Sequence, residues 1–161
     1  MTTRISREEL AARIAADIPE GSIVNLGIGA PTLVADYLPQ GEEIILHTEN
    51  GDLANWSTGA PGAIPAVGGA MDLAIGARDV YVMTDLLTKQ GGSKLVAGCT
   101  YPLTGVGCVS RVYTDHAVFD VTADGFAVRD LFGDNTVAGL RERTGLALID
   151  ATARVDEGGR S

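Results

Sequence analysis

The sequence has few of the residues that cross-link a fold, ligate metals or build aromatic surfaces. It contains two cysteines, Cys99 and Cys108, and aromatic residues make up 5% of its 161 positions. Two cysteines are too few for a disulfide framework, and neither lies at metal-ligand spacing from another cysteine or a histidine. We therefore expect two small buried thiols in a reducing compartment, and no metal site.

Positive charge and long apolar runs are also scarce. The chain has 12 lysines and arginines against 21 aspartates and glutamates, which gives a formal net charge of -9. Such an acidic chain is not expected to bind nucleic acid or an anionic membrane surface, although local basic groups could still bind a small anion. No apolar run is long enough for a membrane span, and the first residues are typical of an amphipathic helix rather than a signal peptide. The sequence predicts a cytoplasmic protein with no membrane partner.

Apolar residues (45%) and glycine (21 residues) are abundant instead. Segments 22–29 and 43–49 are typical of strands, and a glycine turn and a short helix join them. This order predicts a parallel pair with a helical crossover. Further strands are expected at 79–84 and 108–114. We therefore predict an α/β fold with an open, mainly parallel sheet and flanking helices.

The last third of the sequence carries three local signals. Ala123-Asp124-Gly125 lies between two alternating apolar runs and predicts a β-hairpin. Asp134 and Gly145 are the expected N-terminal and C-terminal caps of a final helix. Residues 1–150 are expected to form a single domain, and residues 151–161 a polar C-terminal tail.

The segment "NLGIGAPT" is a glycine turn between a strand and a helix. Its Gly27-x-Gly29 pattern lacks the third glycine of a dinucleotide fingerprint and the Gly-Lys-Ser/Thr ending of a phosphate loop. A plain tight turn and a backbone site for an anionic group both fit this pattern. A nicotinamide-dependent oxidoreductase is a further alternative, and it would use the same turn.

Glu49 ends an apolar strand and is followed by the tight turn Asn50-Gly51. Ligands bind at the carboxyl ends of strands in open α/β sheets, so a glutamate placed there can act as a base, a metal ligand or a nucleophile. A solvated strand-end glutamate is the plain alternative. No second carboxylate or histidine cluster completes a metal site around it.

Several other residues have two interpretations each. Gly68-Gly69 precedes a helix, where free backbone N–H groups could stabilise an oxyanion or simply form a flexible helix entry. Lys94 and Arg111 could contact an anionic substrate or carry solvated charges. His116 lies alone before a strand, and we interpret it as structural.

At "LHTENG" the sequence resembles the family I coenzyme A transferases, in which a Ser/Thr-Glu-Asn-Gly motif marks the B subunit. The resemblance covers nearly the whole chain, because "VNLGIGAPTLVADYLP", "GDLANW", "GGAMDLAIGAR" and "CTYPLTGVGCVSRVYTDHAVFDVT" follow in the family's order. Within the family, "ANWSTGAPGAIPAVGGAMDLA" is similar to the 3-oxoadipate type rather than the succinyl-CoA:3-ketoacid type.

The resemblance implies a role for each candidate residue. Glu49 would be the nucleophile, which forms a mixed anhydride with the acyl group and then an enzyme–CoA thioester. The backbone of Gly68 and Gly69 would contact the oxyanion. The remaining residues would line the same cleft: Asn25, Gly27, Gly29, Asn50 and Gly51.

The resemblance also implies partners and substrates. The rest of the site would come from a separate A subunit in a hetero-oligomer. A coenzyme A thioester and a carboxylic acid would be substrates, and no cofactor would be bound permanently. The implied function is transfer of CoA from succinyl-CoA to 3-oxoadipate in aromatic catabolism. The alternatives are an acetoacetate-type transferase and a non-catalytic subunit.

One feature departs from the family pattern. In the family, several dozen residues separate Glu-Asn-Gly from the Gly-Asp-Leu-Ala-Asn-Trp segment, whereas here the two motifs share Gly51. This predicts an internal deletion between Gly51 and Asp52 that removes a loop, at least one strand and a helix. One expected outcome is that "EIILHTE" and "DVYVMT" become strand partners in a smaller sheet.

Overall fold

The computed structural model describes residues 4–20, 22–27, 30–38, 45–49, 70–98 and 105–154. These residues fall into two compact units. The first, called the N-terminal unit, holds the described residues between 7 and 80 together with 105–108. The second, called the C-terminal unit, holds residues 4–6, 81–98 and 109–154. The single domain expected over residues 1–150 stays a prediction.

The N-terminal unit begins with helix α1, Arg7–Asp17. Strand β1, Ile23–Gly27, follows, then a 3₁₀ helix, Ala30–Tyr37, and strand β2, Ile45–Glu49. Strands β1 and β2 pair in parallel, so the predicted β-turn-helix-β unit is confirmed. Its crossover is a 3₁₀ helix rather than an α-helix. Helix α2, Ala70–Gly76, also belongs to this unit.

Apolar side chains on α1 recur at helical spacing and form its buried face. Leu10, Ala11, Ile14 and Ala15 are all at most 5% exposed. Helix α1 packs against the 3₁₀ helix, whose Val34 is 2% exposed. Burial of this stripe, more than helix propensity, is what stabilises a helix of 11 residues. None of the helices among the described residues has the length and apolar character to cross a bilayer.

The C-terminal unit is built on a five-stranded sheet in the order β3-β4-β5-β6-β7. The strands are β3 (Tyr81–Met83), β4 (Arg111–Tyr113), β5 (Ala117–Thr122), β6 (Gly125–Leu131) and β7 (Ile149–Asp150). The pairs at the two edges are parallel, and the two central pairings are antiparallel. With the parallel β1–β2 pair, the described sheets are mixed and mainly parallel, as predicted.

The predicted hairpin joins β5 to β6. Thr122 pairs with Gly125 across the two-residue loop Ala123-Asp124. Gly125 has a φ of 116°, a conformation that glycine adopts without the strain a side chain would add. The Thr122 hydroxyl donates to the Gly125 carbonyl at 2.8 Å and closes the turn.

One face of this sheet packs into the core of the C-terminal unit. Phe119 and Val128, opposite each other on β5 and β6, are fully buried there with Leu140 of the last helix. The other buried members of the cluster are Leu86, Leu95, Val112, Ala117, Val137 and Leu148. Alternation along the strands therefore places one side of the sheet in an apolar core.

Neighbouring positions of β4 and β5 carry a charged cluster. The Arg111 Nε donates to Asp120 at 2.6 Å, and the Arg111 guanidinium lies 5.4 Å from the centre of the Tyr81 ring. Burial alone would lower the pKa of Arg111, but hydrogen bonds to Tyr113 and Asp120 outweigh burial and raise that pKa above its ordinary value. Arg111 is therefore a fixed cation within a cross-strand network.

His116 lies in a polar cluster just before β5. The residue is 2% exposed, and its Nδ1 lies 3.1 Å from the side-chain oxygen of Asn135. Arg143 donates to the same oxygen at 3.1 Å. The adjacent Asp115 accepts from the Leu86 backbone N–H at 2.8 Å. These contacts agree with the structural interpretation of His116.

Helix α3, Val137–Thr144, begins directly after its N-terminal capping residue. Thr136, rather than the expected Asp134, is the N-cap, and its side chain accepts from the Gly139 N–H at 3.1 Å. The C-terminal cap is Gly145, as predicted, in the left-handed conformation with a φ of 69°. The sequence alone could not choose between two capping residues that lie two positions apart.

Thr136→Ala is expected to destabilise the C-terminal unit by about 1 kcal/mol, because the Gly139 N–H at the start of α3 loses its acceptor. Thr136→Ser keeps the hydroxyl and should lose much less. Urea unfolding followed by circular dichroism compares the two midpoints. Equal losses in both variants would show that the hydroxyl does not cap the helix.

After α3 the chain returns to the sheet as β7, a strand that the sequence did not predict. Ala127 and Val128 of β6 pair with Ile149 and Asp150 in parallel. Two nitrogens of Arg141 donate to the Leu148 carbonyl, at 3.1 and 2.6 Å, and hold the return segment. Residues Thr152–Arg154, at the start of the expected polar tail, form a short 3₁₀ helix.

The re-pairing expected after the deletion is wrong. Strand β2, within "EIILHTE", pairs with β1, whereas β3, within "DVYVMT", pairs with β4 in the other sheet. Since β1 and β2 already form a parallel unit around a short crossover, β2 has its partner close by in the sequence.

Candidate functional site

The carboxyl ends of β1 and β2 bring two predicted site residues side by side. Glu49 is the last residue of β2, and its register partner is Gly27, the last residue of β1. Neighbouring strands lie roughly 4.8 Å apart. The parallel register therefore places the backbone of Glu49 next to a residue that has no side chain.

The sequence of β1 explains how this edge is built. Leu26 is 6% exposed, whereas Asn25 on the opposite face is exposed. Asn25 pairs with His47, two positions before Glu49. Asn25 and Gly27 therefore lie on the same strand pair as Glu49. This pair ends at the carboxyl edge, where parallel sheets bind ligands.

Helix α2 begins at Ala70, directly after the predicted oxyanion residues Gly68 and Gly69. The expected helix at this point is confirmed. The positions of Gly68 and Gly69 themselves, and those of Gly29, Asn50 and Gly51, lie outside the described residues. Their assignment to the cleft stays a prediction.

Lys94 and Arg111, the two candidates for contacts with an anionic substrate, make contacts within the C-terminal unit instead. The Lys94 ammonium donates to the Thr84 hydroxyl at 3.1 Å and lies 3.8 Å from Asp85. Arg111 is held by Asp120. No group of three or more metal-ligating side chains occurs among the described residues. Cys108 is half-buried and unbonded to another cysteine, and Cys99 lies outside the described residues.

A groove that the sequence did not indicate lies in the N-terminal unit, between α2 and residues 105–108. Among the described residues that line it, Arg78 is the charged one. The pattern of the sequence could not reveal this groove, because its two sides are separated by about 30 positions and meet only through folding.

The comparisons with known proteins give relatives that are named as CoA-transferase subunits. No protein-family model matches the chain. The B subunit of 3-oxoadipate CoA-transferase from Pseudomonas putida is 44% identical, with 92% of this chain and 99% of that protein covered. The protein of the same name from Acinetobacter baylyi is 39% identical, with 92% and 97% covered.

A solved structure agrees with the fold. The crystal structure of an acyl-CoA transferase apoenzyme from Escherichia coli O157:H7 superposes with a TM-score of 0.65 at 14% identity. The match covers 92% of this chain and 42% of that chain. At this identity the likeness shows a shared fold and nothing about substrates.

The alignments with the curated relatives are longer than this chain. Each runs over 211 positions and includes 92% of 161 residues, which is about 148 residues. Roughly 60 aligned positions therefore have no residue here. The alignments therefore confirm that this chain lacks residues that both relatives have. The location of the deletion after Gly51 stays a prediction.

An identity of 44% over nearly the full length of both chains exceeds what a shared fold alone produces. The motif order, the parallel strand pair that ends at Glu49 and the fold agree with it. The chain belongs to the coenzyme A transferase family, among its B subunits.

Proposed function

We propose that the chain is the B subunit of a 3-oxoadipate CoA-transferase, which moves CoA from succinyl-CoA to 3-oxoadipate through a thioester on Glu49. The observation that carries this proposal is the 44% identity to a protein of that name over 92% of the chain. The position of Glu49 at the carboxyl end of a parallel strand pair supports it.

The chemistry requires a carboxylate at this position. A Glu49 carboxylate oxygen attacks the thioester carbonyl of succinyl-CoA, the carbon–sulfur bond breaks, and the CoA thiolate leaves a glutamyl–succinyl anhydride. The thiolate then attacks the glutamyl carbonyl and releases succinate, which leaves CoA on Glu49 as a thioester. The acceptor acid repeats these steps in reverse. Both intermediates retain the free energy of the original thioester, so no other energy source is needed.

The proposal gives the surrounding backbone two tasks. Free N–H groups near Gly68 and Gly69 would stabilise the oxyanion that forms at each tetrahedral step. Gly27, which has no side chain, would leave room for the substrate beside Glu49. Asn25, Gly29, Asn50 and Gly51 would line the rest of the cleft on this chain.

The proposal includes a partner. An anhydride or a glutamyl thioester exposed to water would hydrolyse, so the site must exclude water during the reaction. The A subunit would close the site from the other side in a cytoplasmic hetero-oligomer. The coenzyme A thioester is a substrate in this scheme, and no permanently bound cofactor takes part.

A second candidate is a non-catalytic chain that binds its partner or an acyl-CoA without transferring CoA. The observation that favours it is the absence of roughly 60 aligned positions relative to both curated relatives. Loss of a strand from a sheet leaves ladder groups without partners, which costs free energy comparable to the whole stability of a domain.

Mass spectrometry separates the two candidates. After the chain is mixed with its A-type partner and succinyl-CoA, we expect a CoA adduct on the peptide that contains Glu49. Acetoacetate and 3-oxoadipate, supplied separately, should differ in how fast they discharge it, with 3-oxoadipate faster. A folded, partnered protein that never forms the adduct would support the non-catalytic candidate and contradict the transfer.

A further inference from the structure

The parallel pair that ends at Glu49 has one exposed face. On β1, Ile23 is 74% exposed and Asn25 is also exposed, whereas Leu26 on the opposite face is 6% exposed. Register partners in a parallel pair lie on the same face of the sheet, so β2 contributes the matching positions. From the start of the pair to its carboxyl end, the exposed face carries three rows: Ile23 with Ile45, Asn25 with His47, and Gly27 with Glu49.

The middle row is unusual for a parallel pair. Parallel strands are commonly covered on both faces and consist of nearly continuous apolar runs. The first row, Ile23 with Ile45, follows that pattern on both strands. In the next row both strands change together, and two polar residues, Asn25 and His47, lie side by side. The polar part of this face therefore begins directly beside the row that contains Glu49.

The spacing between His47 and Glu49 suits a short dicarboxylic acyl group. Two residues along a strand separate their Cα atoms by about 6.6 Å, on the same face. In succinyl-CoA, three carbon–carbon bonds join the thioester carbonyl carbon to the free carboxylate carbon, about 4 Å when extended. A hydrogen bond from a donor to that carboxylate spans about 2.8 Å more. The acyl group and one hydrogen bond therefore cover the distance between the two rows.

Asn25 and His47 are both residue types that donate hydrogen bonds to a carboxylate. A histidine ring has at least one N–H in either protonation state, and an asparagine amide has two. The chain has a formal net charge of -9, and the proposed nucleophile is itself a carboxylate. A second substrate carboxylate close to Glu49 would be repelled unless donors beside it offset the repulsion. The Asn25–His47 row supplies such donors next to the proposed nucleophile.

We propose that His47, with Asn25 beside it, binds the free carboxylate of the acyl group whose carbonyl carbon reacts with Glu49. The inference rests on the proposed function for its choice of acyl group. The carbon chain of the acyl group extends from the Glu49 row to the His47 row, along the exposed face of the pair. His47 is then a specificity-determining residue, which favours dicarboxylic over monocarboxylic acyl groups.

Succinyl-CoA and butyryl-CoA are the matched probes. Both carry a four-carbon acyl chain on CoA, and only succinyl-CoA has a free carboxylate at the far end. Titration calorimetry is done with the chain assembled with its A-type partner, in the Glu49→Gln background so that neither thioester turns over. We expect this background to bind succinyl-CoA about tenfold more tightly than butyryl-CoA, the effect of hydrogen bonds to one charged group.

Two substitutions of His47 test its part in this preference. His47→Leu removes the donor and should abolish the preference for succinyl-CoA. His47→Gln keeps an N–H donor of similar reach and should retain most of the preference. Both variants should bind butyryl-CoA within about twofold of the Glu49→Gln background, which shows that the strand pair remains folded. A merely structural role of His47 would weaken the binding of both thioesters alike.

Either of two results would overturn the proposal: equal affinity for the two thioesters in the Glu49→Gln background, or a preference for succinyl-CoA that survives in His47→Leu. The CoA adduct on Glu49 is measured separately in the chain with its natural Glu49. An adduct that forms normally in the absence of the preference refutes this inference alone. A preference that depends on His47, without any adduct, refutes the transfer alone.

Discussion

Glu49→Gln is expected to lower the rate of CoA transfer by at least about a thousandfold, because an amide cannot form the anhydride on which the proposed transfer depends. The amide has nearly the same size as the carboxylate, so β2 and its pairing with Gly27 should persist. The measurement is the rate of 3-oxoadipyl-CoA formation from succinyl-CoA, with the A-type partner present in both assays.

Glu20→Gln is the matched control for this experiment. Glu20 is an exposed glutamate in the same unit, between α1 and the start of β1, so its replacement removes the same charge away from the carboxyl ends of β1 and β2. The control should retain the parent rate. Transfer that persists in Glu49→Gln, or a CoA adduct that still forms in that variant, would remove Glu49 from the mechanism.

Phe119→Ala is expected to destabilise the C-terminal unit by about 3–5 kcal/mol. Phe119 is fully buried between the sheet and α3, and its ring meets that of Phe126 edge-on, with centroids 6.4 Å apart. Alanine would remove the ring and leave a cavity that the surrounding strands cannot fill. Denaturant unfolding with an unchanged m-value measures the loss.

Val121→Ala on the same strand is the comparison. Val121 is 36% exposed and lies at the hairpin end of β5, so its truncation should cost less than about 1 kcal/mol. Similar losses in Phe119→Ala and Val121→Ala would show that the core of this unit does not centre on the Phe119 ring.

Sequence patterns predicted the elements whose signals are local. The hairpin before Gly125 and the cap at Gly145 depend on residues close together in the chain, and the parallel pair that ends at Glu49 follows from the order of consecutive elements. Turn chemistry and left-handed caps act over a few residues, and strand–helix–strand order is visible in consecutive segments, so all three can be predicted without a structure.

Two other features could not be predicted from a sequence pattern. Strand β7 has two residues, too few for a recognisable alternation, and it exists because β6 offers an edge to pair with. The cap of α3 lies at Thr136 rather than Asp134 because either residue type suits the position, and the structure aligns the Thr136 hydroxyl with the Gly139 N–H.

The candidate site shows the same division. The position of Glu49 at a strand end follows from sequence, because an apolar run stops there, and the neighbouring Gly27 follows from the parallel crossover. The groove around Arg78 does not follow, since α2 and Val106 meet through packing that no local pattern encodes.

The short strand β7 has a consequence for how the molecule behaves in solution. It covers part of the outer edge of β6, and Arg141 fastens the segment that leads into it. A chain cut after Gly145 would leave those β6 amides and carbonyls ready to pair with another molecule. Strand β7 and the segment before it therefore protect this edge of the sheet against self-association.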